Sequence, residues 1–137
     1  MSILVVGSVA FDSVETPFGK AEEVLGGSAT YFSTSASFFT GVSLVAVVGE
    51  DFPDKHIETL KGKGIDVAGL RKVPGKTFRW KGYYGYDLNQ AHTLETHLNV
   101  FSAFNPEVPA AYREAPFVFL ANIDPELQMK VLDQVKK

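Results

Sequence analysis

Three short, uninterrupted apolar runs set the expected architecture of this chain: Ile3 to Val6, Leu44 to Val48 and Phe117 to Leu120. Runs this short, rich in β-branched or aromatic side chains and closed by glycine or polar residues, mark strands buried on both faces of a parallel sheet. Between them the period becomes helical. Ala29, Phe32, Ala36 and Phe39 recur at three- and four-residue spacing, while Ser33, Thr34, Ser35 and Ser37 keep the other faces narrow. The pattern predicts a close-packing helix that Gly41 ends. Serine and threonine compete for its backbone bonds, so tertiary packing must hold it. Asp54 reads as the cap of a second helix with Ile57 and Leu60 inward and Gly62 or Gly64 stopping it. Leu127, Val131 and Val135 form the stripe of a third. Strands and helices in this order predict right-handed crossovers and an α/β fold with a parallel sheet flanked by helices.

Elsewhere the pattern alternates. From Ser13 to Glu23 the residues are polar around a Thr16-Pro17-Phe18-Gly19 turn signal, which predicts a hairpin. Phe78 to Tyr86 alternates as a twisted antiparallel strand does, and Thr93 to Val100 is a second extended piece that can return beside it. These pieces, near 13–24 and 76–101, are expected to form a small β-layer over the main sheet. Such a layer either brings Arg79, Trp80 and Tyr84 over a ligand or simply packs. Pro106, Pro109 and Pro116 break the connection to the last strand.

Composition narrows the function. With 137 residues and 45% apolar residues, eleven of them Phe, the chain reads as one domain with a substantial core. A net charge of −3, with lysines scattered singly, gives a phosphate backbone nothing to hold, so no nucleic-acid partner is expected. The absence of cysteine excludes disulfides and thiolate metal sites. The start, MSILVVG, has no basic n-region, and no window approaches a membrane span, so the reading is a cytoplasmic protein with no membrane partner.

Two motif-like stretches fail on spacing. Gly69 to Thr77 resembles a phosphate-binding loop but has five residues between its glycines where four are needed. His92, Glu95 and His97 match no standard metal spacing, and no metal site is expected. The stretch with chemical promise is Val24 to Asp51. Gly26 and Gly27 allow backbone amides to approach a ligand closely, and the following helix points its N-terminal amides at the same place. Asp12 follows the first strand, where open α/β sheets bind ligands. Position alone leaves it either as a carboxylate that grips hydroxyls or as a turn cap. Gly49-Glu50-Asp51 places further carboxylates at a strand end.

Taken together, Val5-Val6-Gly7-Ser8 with Asp12, Gly26-Gly27-Ser28-Ala29 opening a small-residue helix, Val45 to Gly49-Glu50-Asp51, and Gly64-Ile65-Asp66 resemble the ribokinase-like or PfkB carbohydrate kinases. The resemblance covers the chain as the N-terminal half of that fold. It implies a parallel sheet flanked by helices with a small β-sheet lid, an ATP- and Mg2+-dependent transfer of a phosphoryl group to a sugar or nucleoside hydroxyl, and a homodimer through the lid. By the same resemblance Asp12, Gly26 and Gly27 contact the acceptor, and Asn122 and Asp124 resemble polar groups the family uses beyond a later strand; Ser28 in the glycine turn and Arg79 in the β-layer are further expected contacts. Tyr31 stands where the family commonly has Asn; its ring can stack on a base or sugar face but offers no amide. The family's Gly-x-Gly-Asp segment, which carries the catalytic base and the anion hole, does not occur in these residues. The expectation is therefore a truncated kinase domain over residues 1–137 with no catalytic residue of its own, no nucleotide bound to this chain alone and no activity by itself. Its leading function is the acceptor half of a sugar kinase, with a nucleoside kinase fragment or a non-catalytic binding or oligomerisation module as alternatives. For such a module the unpaired edge of the sheet and an incompletely covered last helix predict self-association.

Overall fold

A computed structural model describes residues 2–136 as two four-stranded sheets with helices packed on the first. The main sheet takes β1 (Ser2–Val6), β4 (Gly41–Gly49), β5 (Ile65–Val73) and β8 (Phe117–Leu120) in the order β5-β4-β1-β8, every pair parallel. Period-two alternation divides its side chains between two cores. Val5, Leu44, Ala46 and Val48 join Phe52, Leu60 and Ala29 on one face. That face is covered by α1 (Ser28–Ala36) and α2 (Asp54–Gly62). Leu4, Val6, Val45 and Val47 meet Phe104, Val108, Tyr112 and Val131 on the other. This second core is roofed by the irregular segment before β8 and by α3 (Pro125–Leu132). Each fully buried Val, Leu or Phe contributes about 1.5–3 kcal/mol, far above the propensity differences within α1, so packing holds that helix in place.

The second sheet takes β2 (Ala10–Thr16), β3 (Gly19–Gly26), β6 (Phe78–Tyr84) and β7 (Ala91–His97) in the order β3-β2-β6-β7. Two antiparallel hairpins are joined through a parallel β2–β6 pair at its centre. It is rooted in the main body at Phe11, whose ring stacks on Phe52 at 5.8 Å.

Several expectations change. Asp12 lies inside β2, not in the loop after β1. The main sheet has a fourth strand, β5, whose polar Asp66, Arg71 and Lys72 face solvent and hide the strand from an apolar-run reading. The edge strand β8 is only partly buried, with Phe117 exposed, because its outer side has no neighbour among the described residues. Helix α1 stops at Ala36, so Phe39 points to solvent at 88% exposure instead of continuing the inward stripe, beside Phe38, itself 78% exposed. Asp54 is the first residue of α2 and makes no side-chain cap bond. The apolar stripe of α3 is covered: Val131 is fully buried, with Leu127 and Val135 packed beside it. The second extended piece of the small sheet runs from Ala91 to His97, earlier than expected.

Candidate functional site

The turn between β3 and α1 brings main-chain amides to one carboxylate. Gly27 sits at φ 93°, ψ 148°, a conformation closed in practice to residues with a Cβ. A Cβ on Gly27 would strike the Ser8 carbonyl, and one on Gly26 would strike the Asp12 carboxylate. The sequence therefore needs both glycines for the turn to lie against Asp12. The Asp12 Oδ2 accepts a long bond from the Gly27 amide at 3.4 Å and one from the Tyr31 hydroxyl at 3.2 Å.

Beneath the turn a small polar knot locks three elements. Ser8, just past β1, accepts from the Ser28 amide with its hydroxyl (3.0 Å) and shares a hydroxyl–hydroxyl bond with Ser28 (3.0 Å). Ser28 Oγ also accepts from the Asn122 amide (3.2 Å), beyond β8. The ends of β1 and β8 and the start of α1 thus meet at one point.

Burial is the main influence on Asp12 and raises its carboxyl above the ordinary aspartate range, while the bonds from Gly27 and Tyr31 hold it back. The Tyr31 hydroxyl is raised by burial first, then by the charge and hydrogen bond of Asp12, with a smaller effect from Tyr84. A carboxylate held by only two weak donors, beside an exposed phenol, has lone pairs left for hydroxyl groups of a ligand. Trp80 is the β6 register partner of Asp12 and therefore shares its face of the sheet. Its indole N–H donates to Thr93 Oγ1 at 3.1 Å.

Of the residues expected at the site, Asp12, Gly26, Gly27, Ser28 and Tyr31 converge, and Asn122 joins them through its backbone. Asp124 does not: its carboxylate caps α3 by accepting from the Glu126 amide at 2.8 Å. Arg79 does not either, because alternation turns it to the opposite face of the second sheet. There its guanidinium lies 4.9 Å over the Phe11 ring and meets Glu23 at 2.6 Å and Asp51 at 2.8 Å.

Sequence reading missed that cluster. Asp51 was visible as a carboxylate at a strand end, but Thr77, fully buried, carries no signal of its own. Both its amide (2.8 Å) and its hydroxyl (2.7 Å) donate to Asp51. Burial would raise the Asp51 carboxyl, but the Thr77 bonds and Arg79 outweigh it and leave it below the ordinary range. A groove of about 620 Å3 on the outer flank of α1 is lined by Leu25, Tyr31, Phe38 and Phe39 and includes neither Asp12 nor Gly27. Its wall is mostly apolar and is completed by Thr30, Thr34 and Ser35. No cluster of three potential metal ligands occurs among the described residues.

Comparison with known proteins bears on the fold. No family model matches the chain. It is 29% identical over 137 residues to a cytidine kinase of Thermococcus kodakarensis, covering 99% of this chain and 49% of that protein. The nucleoside kinase of Methanocaldococcus jannaschii, described as an archaeal member of the ribokinase family, superposes with a TM-score of 0.73 over 97% of this chain and 48% of that one, at 19% identity. The chain has a ribokinase-like fold. Ribokinase from Cryptococcus neoformans in complex with ADP matches with a TM-score of 0.59 and 19% identity, over 87% of this chain and 40% of that one. The ribokinase-like chain spans about half the length of the relatives it matches. Within that fold the parallel sheet flanked by helices is as expected, and the second sheet is the small β-layer foreseen above it.

Proposed function

We propose that this chain is the acceptor-binding half of an ATP-dependent nucleoside kinase, with the second sheet as the lid over the acceptor. The observation that carries the reading is the Asp12 carboxylate held at the Gly26–Gly27 turn, with Tyr31 against it and Trp80 on the same face of the lid. A half-buried carboxylate with free lone pairs suits vicinal hydroxyls such as those of a ribose, and aromatic side chains beside it suit a flat base. The similarity to a cytidine kinase supports a nucleoside over a plain sugar.

Phosphoryl transfer depends on positioning and on stabilising charge on the moving group. In this reading Asp12 and the Gly27 amide fix the ring hydroxyls, so that the hydroxymethyl oxygen of the acceptor is presented toward the donor. Tyr31 and Trp80 exclude water from the base. The residues around the turn do not fit ATP or its Mg2+. Arg79, the register partner of Phe11 on the neighbouring strand, is committed to Glu23 and Asp51, and the segment that would hold the transferred phosphoryl group is not among these residues. ATP binding and the catalytic base belong, on this reading, to the part of the relatives that the chain does not span, and this chain alone transfers no phosphoryl group.

Calorimetric titration with cytidine, inosine and free ribose tests the proposal. Saturable binding of a nucleoside, weaker binding of ribose and no heat with ATP are expected. Binding of ribose with no preference for a nucleoside would restore the sugar reading, and no binding by any of the three would remove the acceptor-site assignment.

A further inference from the structure

We infer that Arg79, with Glu23 and Asp51, is a positioning device that aims Asp12 at the glycine turn from the back of the second sheet. The inference rests on the acceptor-site reading for its meaning, but its geometry stands separately. Asp12 is on β2, which lies between β3 and β6. The pairing of β2 with β3 shifts register between Asp12 and Val14, immediately beside the functional carboxylate. Opposite that shift Glu23 has φ 49°, a left-handed backbone unusual for a residue with a side chain. An irregularity of this kind bends its strand and redirects the side chains next to it. A strained residue persists only where its surroundings fix it.

Three contacts fix Glu23. Its amide donates to Ser13 Oγ at 3.0 Å. Its carboxylate accepts from Arg79 Nε at 2.6 Å and Nη2 at 3.4 Å, a two-point grip across the back of β2. Arg79 reaches further, donating from Nη1 to the Thr77 carbonyl at 3.0 Å and pairing with Asp51 Oδ2 at 2.8 Å. Asp51 belongs to the main body, just past β4, and also holds the Thr77 amide and hydroxyl. The guanidinium lies over Phe11, the residue next to Asp12. One cation thus ties the body, β6 and the bulged stretch of β3 together behind the strand that carries Asp12. A lysine has no planar fork and cannot make both grips at once.

The test needs no enzyme activity. The Gly27 amide, which touches Asp12, is followed by NMR while pH is lowered, in the wild-type chain and in Arg79→Met and Glu23→Gln. The titratable group facing Asp12 in that titration is Tyr31, which in turn feels Tyr84. If the clamp aims Asp12, both variants stay folded while the Gly27 resonance loses most of its response to Asp12 protonation, and Arg79→Lys does not restore it. Cytidine affinity, read by Trp80 fluorescence, then falls roughly tenfold in both, in keeping with the sensitivity of bound geometry to sub-ångström displacement. An unchanged Gly27 titration in the folded Glu23→Gln variant overturns the inference. Because that readout uses no ligand, the inference can fail or stand whether or not the chain binds a nucleoside.

Discussion

Asp12 and Asp51 are the same residue type at the junction of the same two sheets, and the structure treats them in opposite ways. Asp51 is given every donor in reach: the Thr77 amide and hydroxyl and the Arg79 guanidinium. Its carboxyl is pulled below the ordinary range despite its burial. Asp12 is half-buried with one long amide bond and one phenol, and its carboxyl is pushed up. A carboxylate that serves structure is saturated, and one that serves a ligand is left with a deficit. On the proposed reading this contrast, and not cavity size, marks the acceptor site.

The largest expected effect comes from the turn that creates the deficit. Gly27→Ala must leave φ 93° or force the Ser8 carbonyl away, costing about 3 kcal/mol in urea denaturation. A loss below about 0.5 kcal/mol would mean that the turn is not held as described. Asp51→Asn leaves one oxygen for the two Thr77 donors but replaces the oxygen and charge facing Arg79 with an amide NH2, and should cost about 1–2 kcal/mol, reduced by the partial exposure of its side chain.

The same variant carries a pH signature. The folded carboxyl of Asp51 is lowered, so its stabilisation is present above the unfolded value near ~3.9 and is lost as pH falls through the folded value. Wild-type chain should therefore lose stability on acidification over that range, and Asp51→Asn should lose less. Equal acid profiles would show that Asp51 is not saturated in solution.

Asp12 has the opposite sign and the smallest expected magnitude. Its folded carboxyl is raised, so its contribution is fully present below the unfolded value and declines as pH rises through the folded one. Asp12→Asn should leave stability at neutral pH unchanged or raise it by a few tenths of a kcal/mol, as expected when a group is kept for function and not for stability. A clear drop in melting temperature would make Asp12 a structural residue.

Much of this was legible from residues alone. The apolar runs revealed three of the four strands of the main sheet, and the glycine pair revealed the turn. The strand β5 was hidden because, at the edge of the sheet, it carries exposed charged residues such as Asp66, Arg71 and Lys72 and so lacks an apolar run. The role of Arg79 was misread because sequence places it in the lid but does not say which face it takes; the pairing of Arg79 with Phe11, one residue before Asp12, decides that. The exposed Phe39 could not be foreseen either, since its helical spacing continued past the point where the backbone leaves the helix. Thr77 and Glu23 act through contacts more than twenty residues away in sequence, which no local pattern encodes.

The central claim is that Asp12 is left short of donors in order to hold the hydroxyls of a nucleoside. The direct measurement is the fluorescence of Trp80, the single tryptophan of the chain, during titration with cytidine and with its dideoxy analogue, in wild type and in Asp12→Asn. The account predicts a saturable change only for cytidine with the wild-type chain. Equal binding of the dideoxy analogue, or undiminished cytidine binding by Asp12→Asn, would contradict it.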